Sequence, residues 1–203
     1  MPTSLKQVFI PSGGACDPDD TVNICDPTVD VCHQGVCTEA DLAICAEAPS
    51  AASGVTLSVA TGAPMFDLAG CAPETPASQA VVAYTSGAAG AVVRAEVVGP
   101  VPLPFGLSVQ VRAACNDPAS TWGCGAPDVL LAPVPAATAM TFVIGTSDPT
   151  VTSLEVRITE TPVVTQDPGD PCDPANIYLV CADPTIRSPS SITDSAARIP
   201  PGP

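Results

Sequence analysis

A chain of 203 residues with 25 Pro, 15 Gly and 10 Cys, but only 3% aromatic and 13% charged residues, has room for one domain of ordinary size plus substantial irregular segments. Six Lys and Arg stand against 21 Asp and Glu, and the resulting net charge of −15 makes nucleic acid and anionic membranes poor partners. Scarce charge and a single histidine, His33, leave little for acid–base chemistry.

The first ten residues, MPTSLKQVFI, lack the long apolar run of a secretory leader, so the chain reads as a mature piece or as one whose leader is missing. Within them LKQVFI, residues 5–10, is an extended β segment. Residues 11–45 then hold five of the ten cysteines among Asp and Pro, with almost no hydrophobic periodicity. Such a segment cannot bury enough apolar area to fold alone, so covalent closure must replace a core. The even number of cysteines and the wide spacing of even the nearest pair, Cys32 and Cys37, argue for disulfides over zinc and hence for an oxidising compartment. For Cys16, Cys25, Cys32 and Cys37 the favoured connectivity is first to third and second to fourth, with three possible in all.

From about Val55 to Glu160 the pattern changes to period two. VTLSVA, AVVAYTS, AVVRAEVV, GLSVQVRA, DVLLAPV, AMTFVIG and SLEVRITE read as seven short strands. Leu107, Val109 and Val111 fall on one face with Ser108, Gln110 and Arg112 on the other, and Leu154, Val156 and Ile158 oppose Glu155, Arg157 and Thr159. Turn signals at 86–90, 99–104, 116–120 and 147–150 separate them. Strands at this spacing without an amphipathic helix predict an all-β fold, an antiparallel β-sandwich. The uncharged window Val129–Ser147 could suggest a membrane span, but it contains Pro133, Pro135 and Gly145, and Thr75–Val93 is equally uncharged. Both are strand and turn.

After Pro162 the chain turns irregular again, with NIYLV at 176–180 as one short strand candidate and a linker-like PPGP at its end. CDPDDTVNIC at 16–25, CNDPASTWGC at 115–124 and CDPANIYLVC at 172–181 share one cysteine gap, so residues from about 168 read as the start of a second repeat. The expected organisation is 1–44 as an N-terminal segment and cysteine-rich module, 45–162 as the sandwich, and 163–203 as a Pro-rich linker or next repeat.

Each candidate site has a plain structural alternative. Eight of the 15 Asp residues precede Pro, and Asp17, Asp19 and Asp20 form the densest group of possible calcium ligands. The favoured reading is that Asp caps turns whose φ Pro presets. Neighbours Cys32 and His33 point apart in an extended chain, so they do not form a nucleophile–base pair. No nucleophile elbow, zincin or phosphate-loop motif occurs. Trp122 could stack on a glycan or a partner, but it reads better as a plug against the sandwich end.

The run VQVRAACNDPASTWGC, followed by TAMTFVIG and SLEVRITE, resembles the bacterial pre-peptidase C-terminal type β-sandwich domain, and the CDP-rich stretch 16–37 resembles the short cysteine-rich modules that alternate with it in secreted proteins. The resemblance covers about 45–162. It implies a non-catalytic extracellular sandwich that tethers attached regions, with Cys45 paired to Cys71 and Cys115 to Cys124. Cys172 then pairs with Cys181 by elimination and by the matching gap. Some members of that family bind calcium, but the acidic stretches they use read PFGLSVQV and GAPDVLL here, so folding is expected to need no calcium and no other cofactor.

The function expected is that of a non-enzymatic extracellular or cell-surface structural module, a repeat unit of a stalk, fibre or secreted multidomain protein. Its partners would be other copies or neighbouring domains. An adhesin-like domain for calcium or carbohydrate is one alternative. The other is a filament subunit that donates its terminal strands, with Ile177, Tyr178, Leu179 and Val180 as contacts alongside Trp122. Deleting 163–203 is expected to leave the sandwich folded and to abolish association.

Overall fold

The computed structural model describes residues 7–68, 70–71, 75–87, 90–167, 173, 176–181 and 196–197. They fall into two compact units, Met1–Ala48 and Pro49–Pro203.

The first unit is built from β1 (Val8–Ile10), β2 (Asn23–Cys25), β3 (Asp30–His33), β4 (Val36–Glu39) and one helix, α1 (Ala40–Glu47). β1 pairs with β2 in parallel, and β3 with β4 as a hairpin. Its buried apolar side chains are Cys25, Cys37, Ala40 and Ala43, so cystine takes the place of a hydrocarbon core. The connectivity is Cys16–Cys32 and Cys25–Cys37.

The second unit is an antiparallel sandwich. β5 (Thr56–Ala60), β7 (Ala91–Gly99), β10 (Asp128–Val134) and β12 (Ser153–Pro162) lie in one sheet, in the order β10-β7-β12-β5. Outside β10 sits β15 (Ala196–Ala197), the one parallel addition to that sheet. β6 (Ser78–Thr85), β8 (Ser108–Arg112), β9 (Thr121–Gly125) and β11 (Ala139–Thr146) form the other, in the order β6-β11-β8-β9. Strands alternate between the sheets along the chain, and β8–β9 is the one hairpin among them. Connections therefore cross at the ends of the sandwich. β13 (Val164–Gln166) and β14 (Leu179–Cys181) form a small parallel pair.

All seven strands read from the alternation are present. Their inward rows, among them Val82, Val93, Val109, Val111, Leu131, Phe142, Ile144, Leu154 and Ile158, form the core between the sheets. The uncharged window at 129–147 is β10, a turn and β11. Among the described residues no helix is long and apolar enough to cross a membrane.

Three expectations need correction. Ser108, Gln110 and Arg112, assigned to an outer polar face, are all buried. The β5–β6 connection runs as a strap over that face and places Phe66 and Leu68 on it. It packs so closely that a Cβ on Gly145 of β11 would lie 2.7 Å from Leu68 Cδ1. The pairings Cys45–Cys71 and Cys115–Cys124 are overturned because Cys71, on the strap, is bonded to Cys124 of β9. Cys45 and Cys115 are each disulfide-bonded as well. The pairing of Cys172 with Cys181 and most of the C-terminal repeat lie outside the described residues.

Candidate functional site

The polar side chains with chemical potential are held in local structural bonds. Asp17 accepts the Asp19 amide, Asp117 caps the 3-10 turn Pro118–Ser120 through the Ala119 amide, and Asp148 accepts both the amide and the hydroxyl of Thr150. Asp26 does the same for Thr28, and Asp20 accepts the amides of Val22 and Asn23. These five are among the Asp-Pro and Asp-rich positions considered for calcium, and each closes a turn. Sulfur atoms of Cys16, Cys25 and Cys37 lie together, but as members of two disulfides they offer no thiolate to a metal. His33 Nδ1 lies 3.2 Å from Glu47 Oε1, linking β3 to α1, while Cys32 is bonded to Cys16.

All three arginines among the described residues are committed too. Arg94 meets Asp128 at 2.9 Å and Arg157 meets Glu96 at 2.6 Å on the solvent face of β10, β7 and β12. Arg112, 1% exposed, donates to Gln110 Oε1, the Cys115 carbonyl and the Asp67 carbonyl, and its guanidinium lies over the Phe66 ring. Tyr84 donates its hydroxyl to Glu160 Oε2 at 2.6 Å, and the same carboxylate accepts the Gly87 amide.

These bonds set the pH dependence. Hydrogen bonds from Asn23 and the neighbouring amides hold Asp20 below the usual 3.8, and the hydroxyl and amide of Thr28 and Thr150 do the same for Asp26 and Asp148. A lowered folded-state value lends stability that is complete above 3.8 and lost as pH falls through the lower value. Burial first, and the Glu160 hydrogen bond second, push Tyr84 up from 10.0 to about 12. Its contribution is complete below 10 and lost as pH rises through about 12. Thermal midpoints should therefore fall as pH drops below about 4 and as it rises above about 10, with a weaker alkaline fall in Tyr84→Phe. An alkaline fall as steep in Tyr84→Phe as in the wild type would contradict the assignment.

What remains open is a groove with one apolar wall and one largely polar wall. The β7–β8 connection, Pro100-Val101-Pro102-Leu103-Pro104-Phe105, and the β11–β12 connection around Asp148–Ser153 line this groove of about 610 Å³ at one end of the sandwich. The Phe105 carbonyl accepts from the Ser147 amide and the Thr146 hydroxyl, which fixes the two loops together. Gly106, at φ +62°, lies against Ser147 with no room for a side chain. Val101 is 87% exposed and Phe105 62% exposed. Asp148 is the one charged side chain in the lining, and its Oδ1 is taken by Thr150.

The contacts anticipated from sequence are dispersed. Trp122 sits on β9, partly buried against the core, as a plug does. Val8–Ile10 of the N-terminal segment is paired with β2. In the C-terminal segment Leu179 and Val180 pair with β13, and the Tyr178 carbonyl accepts the Val164 amide. Ile177 precedes them in a turn, and Tyr178 and Val180 keep partly exposed side chains. The end groove went unread in the sequence. Its signal was the alternation Pro-X-Pro-X-Pro-X between two glycines, which puts apolar side chains on a stiff connection.

No protein family, curated protein or solved structure matches this chain.

Proposed function

We propose that this chain is a non-enzymatic extracellular structural module, built to associate with copies of itself or with neighbouring domains of a larger protein. The supporting observation is the commitment of its polar groups. Among the described residues the arginines are paired or buried, the turn aspartates accept their own neighbours' amides, and Cys16, Cys25, Cys32, Cys37, Cys45, Cys71, Cys115 and Cys124 are all disulfide-bonded. Disulfides and locally paired polar groups of this kind suit a part that holds its shape in an oxidising compartment.

The groove at the sandwich end, with the exposed Val101 and Phe105 on one wall and Thr150, Thr152 and Ser153 on the other, favours a second reading, a binding domain that takes an amphipathic partner there. Native mass measured across a concentration series separates the two. Association with itself gives particles heavier than the 20.2 kDa chain that grow with concentration. A chain that stays at monomer mass throughout would overturn the self-associating module.

A further inference from the structure

The sandwich has four sheet edges, and the structure treats them unequally. Along β6 the outer side is occupied by backbone bonds, in which Ala83 exchanges with Pro49 and Ala51 and Gln79 with Gly62. β9 is tied through Cys124 to the strap. β10 bears the parallel β15. β5 pairs with β12 on one side, and among the described residues no backbone bond reaches the outer side of Thr56–Ala60.

Natural edges are guarded by charge, proline or a bulge. β5 has none of these. Residues 48–66 carry no charge, β5 contains no proline, and its register with β12 runs without a shift. Thr56, Ser58 and Ala60 are exposed, Val59 is in the core, and Leu57 packs against it.

We propose that β5 is a self-association seam, on which the β5 strand of a second copy pairs antiparallel about Ser58. The inference rests on the reading of the chain as a self-associating module and names its contact. Two observations select a second copy as occupant, and a third sets how firmly it binds. The strand is self-complementary: centring on Ser58 places Thr56 opposite Ala60 of the partner copy and Leu57 opposite Val59 of the partner copy, so the apolar row continues along the core side and small side chains meet on the outer side. Charge agrees, because two chains of −15 repel over most of their surface and approach at lowest cost along an uncharged stretch. Size sets the strength. Five residues per copy fall short of the roughly 1,000 Å² that a stable interface buries, so single copies pair weakly and reversibly, and arrays of copies pair firmly through multivalency.

Ser58 supplies the test, since the two-fold puts it opposite itself. Its side chain is exposed and stands opposite Glu155 of β12, so Ser58→Glu should lower and Ser58→Lys raise the thermal midpoint of the full chain by no more than a few degrees, with both variants folded. Each alone places like charges directly across the seam, whereas their mixture places opposite charges there. Sedimentation equilibrium of the full chain up to about 1 mM should show a larger species for wild type, its loss in either variant, with at least tenfold weaker association, and its return in the equimolar mixture. Variants that associate as wild type does would overturn the seam and leave self-association standing. Failure of the mixture to recover would overturn the antiparallel register about Ser58. A wild-type chain monomeric over the whole range would overturn both the seam and the self-associating reading.

Discussion

Reduction of the disulfides should unfold residues 7–48 outright while leaving the sandwich folded and less stable. The first unit closes sixteen residues with Cys16–Cys32 and twelve with Cys25–Cys37, and chain entropy assigns roughly 3 kcal/mol to each loop. Little else opposes the entropy of the open chain, because the side chains buried there are the two cysteines, two alanines and Asp30. Asp30 illustrates the thinness of that interior. One of its oxygens takes the Ser12 hydroxyl at 2.5 Å, and the other is buried with no partner among the described residues. In the sandwich the position is reversed. Cys71–Cys124 closes 53 residues, worth about 4 kcal/mol by the same entropy, but it is added to a continuous apolar core between two sheets. Loss of this bond alone should lower the sandwich midpoint by roughly 8–16 °C, and full reduction, which also opens the bonds of Cys45 and Cys115, should lower it further without abolishing the transition. Hydrogen exchange after reduction would read both effects, with rapid exchange through β1 to α1 and retained protection in β7, β11 and β12. Protection surviving in β3 and β4 would show a core that burial does not reveal.

Half-burial imposes the alternation that makes β12 and the latter part of β7 legible, whereas β11, buried on both faces from Phe142 to Thr146, is legible as a short apolar run bounded by turns. Elements governed by neither signal were not. α1 is short and buries only Ala40 and Ala43, so its sequence shows no apolar stripe. β9, with two glycines in five residues, lacks strand propensity and is held by pairing with β8 and by Cys124. In β8 the alternation was read correctly, yet its polar row was assigned to water because period two reports two faces and cannot report what covers each. The same blindness misled the cysteines. Cys115 and Cys124 lie close in sequence, but β8–β9 pairing sets Cys124 opposite Gln110, whose amide donates to Cys71 Sγ at 3.4 Å, and so carries Cys124 to the strap. Spacing records proximity along the chain, whereas the bond follows proximity across the sheet.

Arg112→Ala should cost the sandwich about 3 kcal/mol, a fall of roughly 6–12 °C in its midpoint, and should do so by releasing the strap. The guanidinium is the hub on which strap and sheet converge: Nε reaches Gln110 at 2.7 Å, one terminal nitrogen reaches the Asp67 carbonyl at 2.6 Å and the other the Cys115 carbonyl at 3.0 Å. Phe66 covers its plane, with the charge 5.4 Å from the ring centre. Gln79 holds the same strap independently, accepting the Met65 and Phe66 amides and donating to the Phe66 carbonyl. Truncation at position 112 leaves three acceptors facing a space that alanine cannot fill, and each buried acceptor without a partner costs about 1–3 kcal/mol unless water enters. Lysine offers one ammonium where the site uses a planar fork, so Arg112→Lys should recover little of the loss. Arg94→Ala is the control. Its ion pair with Asp128 is half-exposed, and exposed pairs contribute under about 1 kcal/mol. Proteolysis adds a local readout, since a released strap should be cleaved within residues 61–71 while β7 and β12 remain intact. If Arg112→Ala and Arg94→Ala lower the midpoint equally, the buried hub contributes no more than a surface pair, and the strap is held by Gln79 and the Cys71–Cys124 bond instead.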